Sequence, residues 1–454
     1  MKKAIKLIIL LLVLAALAVG YFVYSANVED DSTNDENSNA VDTRVEVLYL
    51  DYNTIDSIEY VFEEQTVKLK KVGEVWQWAE DSDFSLEQSY PNDMVDALSS
   101  IVADRLIADN LDNEADFGMD TPNFTIKYTV SDGTEYVYTI GDYNQTAEGY
   151  YIKSSIQDKI FMTKTNPVTP FVYNVLEMAV IDSFSAPDAE SITKVEYVVE
   201  GKSNIITKDS TDVLYADPYT YFVFDENGVK KGADGRASSE FISAISSISL
   251  GDVLAFKPDQ DTLEKYGLGE VKSLRLYIDY EVAVGENNAD TSVNVTAKKN
   301  CKINIGRYVN EEGKTEYFAN VDGSLLLYEL RGGEALFGAI EADFESKLVC
   351  PVLADGVISF TAEAGEKTKT YTASDLKETE EAATLLNTIT SIVSKDAVEG
   401  EKGENILKVV FDMGGNTLEL NVYKVDETNC IASFCGEEKY VDAEKIQKII
   451  GLIV

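Results

Sequence analysis

One pattern recurs three times along this chain and limits its fold more than any other feature. Apolar residues fall at Met94, Val95, Leu98, Ile101 and Val102, again at Phe241, Ile242, Ile245 and Ile248, and again at Leu385, Leu386, Ile389, Ile392 and Val393. The shared offsets of 0, 1, 4 and 7 draw a single stripe along an amphipathic helix. Such a helix buries one face only, so each copy needs a sheet or another helix to cover it.

The flanking segments supply the sheets. Ser57–Phe62, Val67–Lys70 and Trp76–Trp78 precede the first helix; Lys194–Val199 and Tyr219–Phe224 precede the second; Val357–Thr361 and Thr368–Tyr371 precede the third. All alternate in polarity or are rich in β-branched and aromatic residues, as half-buried strands are. After the first helix come Asp104-Arg105-Leu106, Phe117-Gly118-Met119 and Pro122. A strand at Thr125–Val130 then turns at Ser131-Asp132-Gly133, returns to Thr139-Ile140-Gly141 and continues as a meander through Tyr150-Tyr151 and Lys159–Met162. The second copy keeps this order with Asp252-Val253-Leu254, Tyr266-Gly267-Leu268, Leu274–Ile278, Asn304-Ile305-Gly306, Thr315–Phe318 and Leu325–Tyr328. From the aromatic-Gly glycine to the glycine ending the return strand there are 23 residues in the first copy and 39 in the second, the excess matching polar Gly285–Asn300. The third copy keeps Leu407–Phe411, Gly414-Gly415, Thr417–Tyr423 and Lys439–Val441 but lacks the aromatic-Gly element. Short helices near Thr169–Met178, Glu334–Ile340 and Asp442–Ile453 close the copies, the last with Asp442 as its N-cap.

Each unit therefore reads β-β-α-β-β-β-β-α, and the expected class is α+β: tandem modules of antiparallel sheet, each with a packed amphipathic helix. The expected boundaries are residues 1–26 for a cytoplasmic tip and transmembrane anchor, 27–43 for an acidic linker, and 44–182, 183–343 and 344–454 for three modules, the last shorter and divergent.

The anchor is read from residues 4–23, AIKLIILLLVLAALAVGYFV. About 20 apolar residues span a hydrocarbon core of about 30 Å. Lys2, Lys3 and Lys6 lie at its start, and Glu29, Asp30 and Asp31 beyond it, which places the N-terminus in the cytoplasm and the bulk of the chain outside. A cleaved signal peptide is the alternative; the length of the run and bulky Tyr24 near a cut after Ala26 favour a retained anchor. Residues 27–43 are polar and acidic and form a solvated linker.

Composition excludes several functions. Acidic residues number 80 against 39 basic ones, and the net charge of −41 repels a phosphate backbone, so no nucleic-acid partner is expected. There is no histidine, which removes the commonest general base and metal ligand. No catalytic residue, metal site or cofactor is expected. Cys301, Cys350, Cys430 and Cys435 form no C-x-x-C pair; they are either free thiols or two disulfides, in one of three pairings.

Trp76-Gln77-Trp78, the helix, Phe117-Gly118-Met119-Asp120-x-Pro122, Thr139-Ile140-Gly141 and Tyr150-Tyr151 together resemble the family called domain of unknown function 4340. Tyr266-Gly267-Leu268 and Ile305-Gly306 resemble the same pattern a second time, although Gly269 stands where the Pro-containing turn would begin and Tyr219–Phe224 replaces the Trp strand. The resemblance covers about residues 45–343 and implies a bacterial, membrane-anchored protein with an extracytoplasmic accessory role, in some members beside ABC-transporter genes of the gliding-motility type. It implies no catalytic residues.

Three residues stand out as candidate binding groups. Trp76 and Trp78 share a strand face and could stack on a sugar or cover a core. Asp120 could serve as a loop carboxylate, or simply belong to a turn set by Gly118 and Pro122. The leading expectation is a non-enzymatic accessory or scaffold protein with an envelope or membrane protein partner. The alternatives are an envelope-glycan or cation-binding module and, last, a carboxylate-based hydrolase.

Overall fold

A computed structural model describes residues 44–108, 113–182, 184–213, 215–270, 272–284, 296–398 and 400–454. Among these, no helix is long and apolar enough to cross a membrane. The anchor expected at residues 4–23 and the acidic linker at 27–43 lie outside the described residues. The protein is a sheet-rich α+β fold whose strands pair antiparallel.

The described chain forms two compact units. The first comprises the residues up to Thr54, Val95–Lys127 and Asp132–Thr169. In it, Val45–Tyr49 pairs with Ser100–Ala103, and Glu135–Asn144, Gly149–Ser154, Ile160–Thr163 and Arg105–Ala108 follow one another as an antiparallel series.

The second unit comprises Ile55–Met94, Tyr128–Ser131 and Pro170–Val454. It holds a nine-stranded sheet ordered Lys230–Gly232, Phe222–Phe224, Lys202–Thr207, Ile192–Val199, Leu274–Ala283, Thr296–Val309, Thr315–Val321, Leu326–Arg331 and Ser249–Phe256. It also holds a six-stranded sheet ordered Lys367–Thr372, Ser359–Ala364, Asn405–Asp412, Thr417–Lys424, Asn429–Phe434 and Glu437–Asp442. The six-stranded order recurs within the larger sheet as a hairpin, then a strand C-terminal to the striped helix, then three strands in sequence order, except that Ser249–Phe256 directly follows the helix in the larger sheet and lies at its far edge.

The striped helices sit where burial requires. They span Ser89–Ser99, Gly235–Ser246 and Glu380–Thr390, and each ends five residues after its first stripe residue. The expectation of a helix running to Ile101 and Val102 is corrected: Ile101 is a buried strand residue, and Val102 is exposed. Ile248 and Ile392, at the same offset, are likewise buried just past their helix ends. The offset-7 residue thus continues the stripe into the segment after the helix. Phe241, Ile242 and Ile245 share one core with Val195, Leu276 and Ile305, and Leu385, Leu386 and Ile389 share another with Phe360, Val409 and Leu420. Each such side chain contributes about 1.5–3 kcal/mol on burial. Asp234 caps the second helix by accepting the Ala237 N–H at 2.8 Å, and Asp442 caps the last, Ala443–Ile453, by accepting the Glu444 N–H at 3.0 Å.

Near Thr169–Met178 two 3₁₀ turns, Thr169–Phe171 and Leu176–Met178, stand in place of the expected helix, Pro170 lying in the first. Just beyond, Asp182 is clasped by the nine-stranded sheet. The buried Tyr328 hydroxyl donates to its Oδ2 at 2.5 Å, Ser324 donates to the same oxygen, and the Asp182 N–H returns a bond to Tyr328 at 3.1 Å. The hairpin of Leu274–Ala283 and Thr296–Val309 outruns its neighbour: its ladder reaches Ala283 opposite Thr296, whereas pairing with Ile192–Val199 stops at Tyr280.

Candidate functional site

The aromatic-glycine motif builds the same joint in both units. In the first, Glu114–Phe117 is a 3₁₀ turn closed by Gly118 at φ 69°, in the left-handed region that only glycine enters freely. The Phe117 carbonyl lies against Gly141: a Cβ there would come within 2.1 Å of that oxygen. A Cβ on Gly118 would come within 2.7 Å of Asp142. The Phe117 ring packs edge-on to Tyr151 at 5.0 Å.

In the second unit, Gln260–Lys265 is capped by Asp259 and ends at Tyr266. The Tyr266 carbonyl lies against Gly306, where a Cβ would come within 2.2 Å. Gly267, at φ 73°, faces Arg307, whose carbonyl oxygen a Cβ would approach to 2.4 Å. Tyr266 packs on Phe318 at 4.6 Å. Gly141 and Gly306 were expected to end strands. They instead lie inside Glu135–Asn144 and Thr296–Val309, and the close carbonyl explains why glycine is required there.

Trp76 is buried at 3% exposure, and its backbone is held by Gln88, which accepts from the Trp76 N–H at 2.8 Å and donates to its carbonyl at 3.0 Å. Trp78 meets Phe84 at 5.6 Å and Phe256 at 6.0 Å, both nearly perpendicular. Beside them Lys257 bridges Asp81 and Asp83 at 2.7 Å each. Hydrogen bonding to Lys257 holds the Asp81 carboxyl below its ordinary range. The Trp76 ring is therefore enclosed, and Trp78 sits in an aromatic cluster. Asp120, in the other unit, is exposed, with Thr121 Oγ1 at 3.5 Å from its carboxylate.

One cleft of the second unit draws on segments distant in sequence. It measures ≈ 200 Å³ and is walled by Tyr215 and Tyr219, by Lys230–Gly232, by Ser346, Leu348, Val349 and Pro351, and by the hairpin end at Phe434, Cys435, Glu437 and Lys439. Tyr219 fits over Gly232, where a Cβ would lie 2.3 Å from the ring. Burial pushes the Tyr219 hydroxyl up, and a hydrogen bond with Ser346 partly offsets this. The lysines are already engaged. Lys230 reaches Asp209 at 2.8 Å, Lys231 pairs with Glu437, and Lys439 donates to the Ser346 carbonyl at 2.8 Å. Burial also pushes the Cys435 thiol up, away from the reactive thiolate. The cleft thus offers shape, apolar surface and tyrosine hydroxyls. Its three wall segments lie more than eighty residues apart, so no local pattern in the sequence marks it.

The fold is that of a sheet-rich α+β protein with a duplicated glycine joint and a cleft between the segments just named. Residues 76–270 match the family model described as Domain of unknown function (DUF4340). The match begins at Trp76 and ends just past Tyr266-Gly267-Leu268, before the Gly306 that completes the second joint, a narrower span than the motifs alone suggested. No curated protein and no solved structure matches the chain.

Proposed function

We propose that this chain is a non-enzymatic accessory or scaffold protein, held in the membrane by residues 4–23, with residues 44–182, 183–343 and 344–454 as three related modules outside it. Its partner is an envelope or membrane protein, such as a component of an ABC-transporter-type complex. The observation that supports this reading is the duplicated joint: in both copies the aromatic-glycine residues are spent on holding a turn against a strand. In the cleft, likewise, the lysines are bound to carboxylates and carbonyls and the lining thiol is protonated, which suits recognition better than proton transfer or nucleophilic attack.

The test is crosslinking of the full chain in native membranes, with alkaline carbonate extraction in parallel. The expected result is a chain that resists extraction and captures a membrane or envelope protein. Release by carbonate together with no such partner would refute the proposal.

A further inference from the structure

Two of the four cysteines share one region of the second unit. Cys350 is fully buried in the core of the six-stranded sheet, and Cys435 packs against that same core. The residues flanking Cys350, Val349 and Pro351, line the cleft wall together with Cys435. Lys439 fixes the two segments together by donating to the Ser346 carbonyl at 2.8 Å. Cys435 occupies the first position of the two-residue turn between Asn429–Phe434 and Glu437–Asp442, at φ 51°, with Gly436 at φ 93°. A turn of this kind takes Asn, Asp or Gly there by preference, and a cysteine costs about 1 kcal/mol or more. Burial pushes the Cys350 thiol well up and nearby Cys435 adds to this, whereas Cys301 and Cys430 have Asp and Lys as their charged neighbours.

We propose that Cys350 and Cys435 are a modification site: a reversible disulfide that locks the turn of the last hairpin onto the segment entering the six-stranded sheet. The oxidant is a disulfide, either a low-molecular-weight one or that of a thiol oxidoreductase. Cys435, partly open to the cleft, attacks one oxidant sulfur through the minor fraction that has lost its proton, forming a mixed disulfide and releasing the first thiol. Cys350, deprotonated, then attacks the Cys435 sulfur and releases the second. Two protein thiols are oxidised, one disulfide is reduced to two thiols, and the protons pass to those leaving thiolates. The bond closes a loop across nearly the whole last sheet, which restricts the unfolded chain. This inference does not depend on the accessory role.

The test uses the full chain, incubated with oxidised or reduced glutathione, alkylated without reduction and mapped by mass spectrometry. The expected outcome is a linked Cys350–Cys435 peptide pair, with Cys301 and Cys430 alkylated, and a higher thermal midpoint in the oxidised form. C435S should abolish both changes, while C301S, as control, should preserve them. Glutathione retained on Cys435 without an internal link, or both thiols still alkylated after oxidation, would overturn the proposal.

Discussion

Gly306→Ala tests the joint directly. Ordinary carbon–oxygen contact is about 3.2 Å, and the new Cβ would meet the Tyr266 oxygen at 2.2 Å, the Gly267 carbon at 2.8 Å and the Gly267 oxygen at 3.0 Å. All three are backbone atoms, so no side chain can rotate away. The turn must retreat by about 1 Å, pulling Tyr266 from Phe318 and straining Gly267. Overpacking of this kind costs about 1–3 kcal/mol, and we place this case near the upper end. A loss of about 3 kcal/mol raises local opening roughly a hundredfold. Hydrogen exchange of residues 260–268 reads that change, and G141A should do the same to residues 114–119 in the other unit. Gly235→Ala is the control: nothing lies within 4 Å of its Cβ, and exchange should be unchanged or slower. If G306A exchanges within a factor of three of the native chain, the carbonyl–glycine contact is not what fixes the turn.

Other outcomes follow from the same structure. Tyr328→Phe leaves the Asp182 carboxylate without its buried donor and should cost about 1–3 kcal/mol in urea unfolding of the second unit, with Ser324→Ala adding less than its separate effect because they share one oxygen. Burial pushes the Tyr197 and Tyr328 hydroxyls up to about 12 from 10.0, so the stability they carry is fully present below pH 10 and fades as pH rises toward 12. Ultraviolet titration should show these tyrosines ionising late or together with unfolding. Lys257→Met should lower the thermal midpoint only slightly at pH 7, because the pair is exposed and screened. Asp81 is held below its ordinary 3.8, so its stabilisation is present above that pH and lost as pH falls through the depressed value. The gap between K257M and the native chain should therefore close in strong acid; a gap that persists would contradict the ion-pair account.

The helices were legible because burial on one face imposes a period, and Phe241, Ile242 and Ile245 obey it without exception. Strand Lys202–Thr207 escaped because its first three residues are exposed and polar, and Asn429–Phe434 because its near-continuous burial erases alternation. Gly141 and Gly306 were recognisable as special, but their reason lies in a carbonyl more than twenty residues away, which no local rule reveals. Trp76 and Trp78 share a strand face in sequence; whether that face meets water or Phe84 and Phe256 is decided by Ser249–Phe256, a strand of another segment. The cleft was invisible for the same reason, since each wall alone is an ordinary loop or edge.

Among the described residues, the overhanging hairpin leaves Thr296–Cys301 unpaired on its outer side, an edge open to a second chain. Lys298 and Lys299 stand there, both exposed and pointing to opposite faces, in a protein otherwise dominated by negative charge. Two such ribbons meeting edge to edge would bring ammonium groups together on both sides. The lysines thus weigh by charge repulsion against such edge-to-edge pairing.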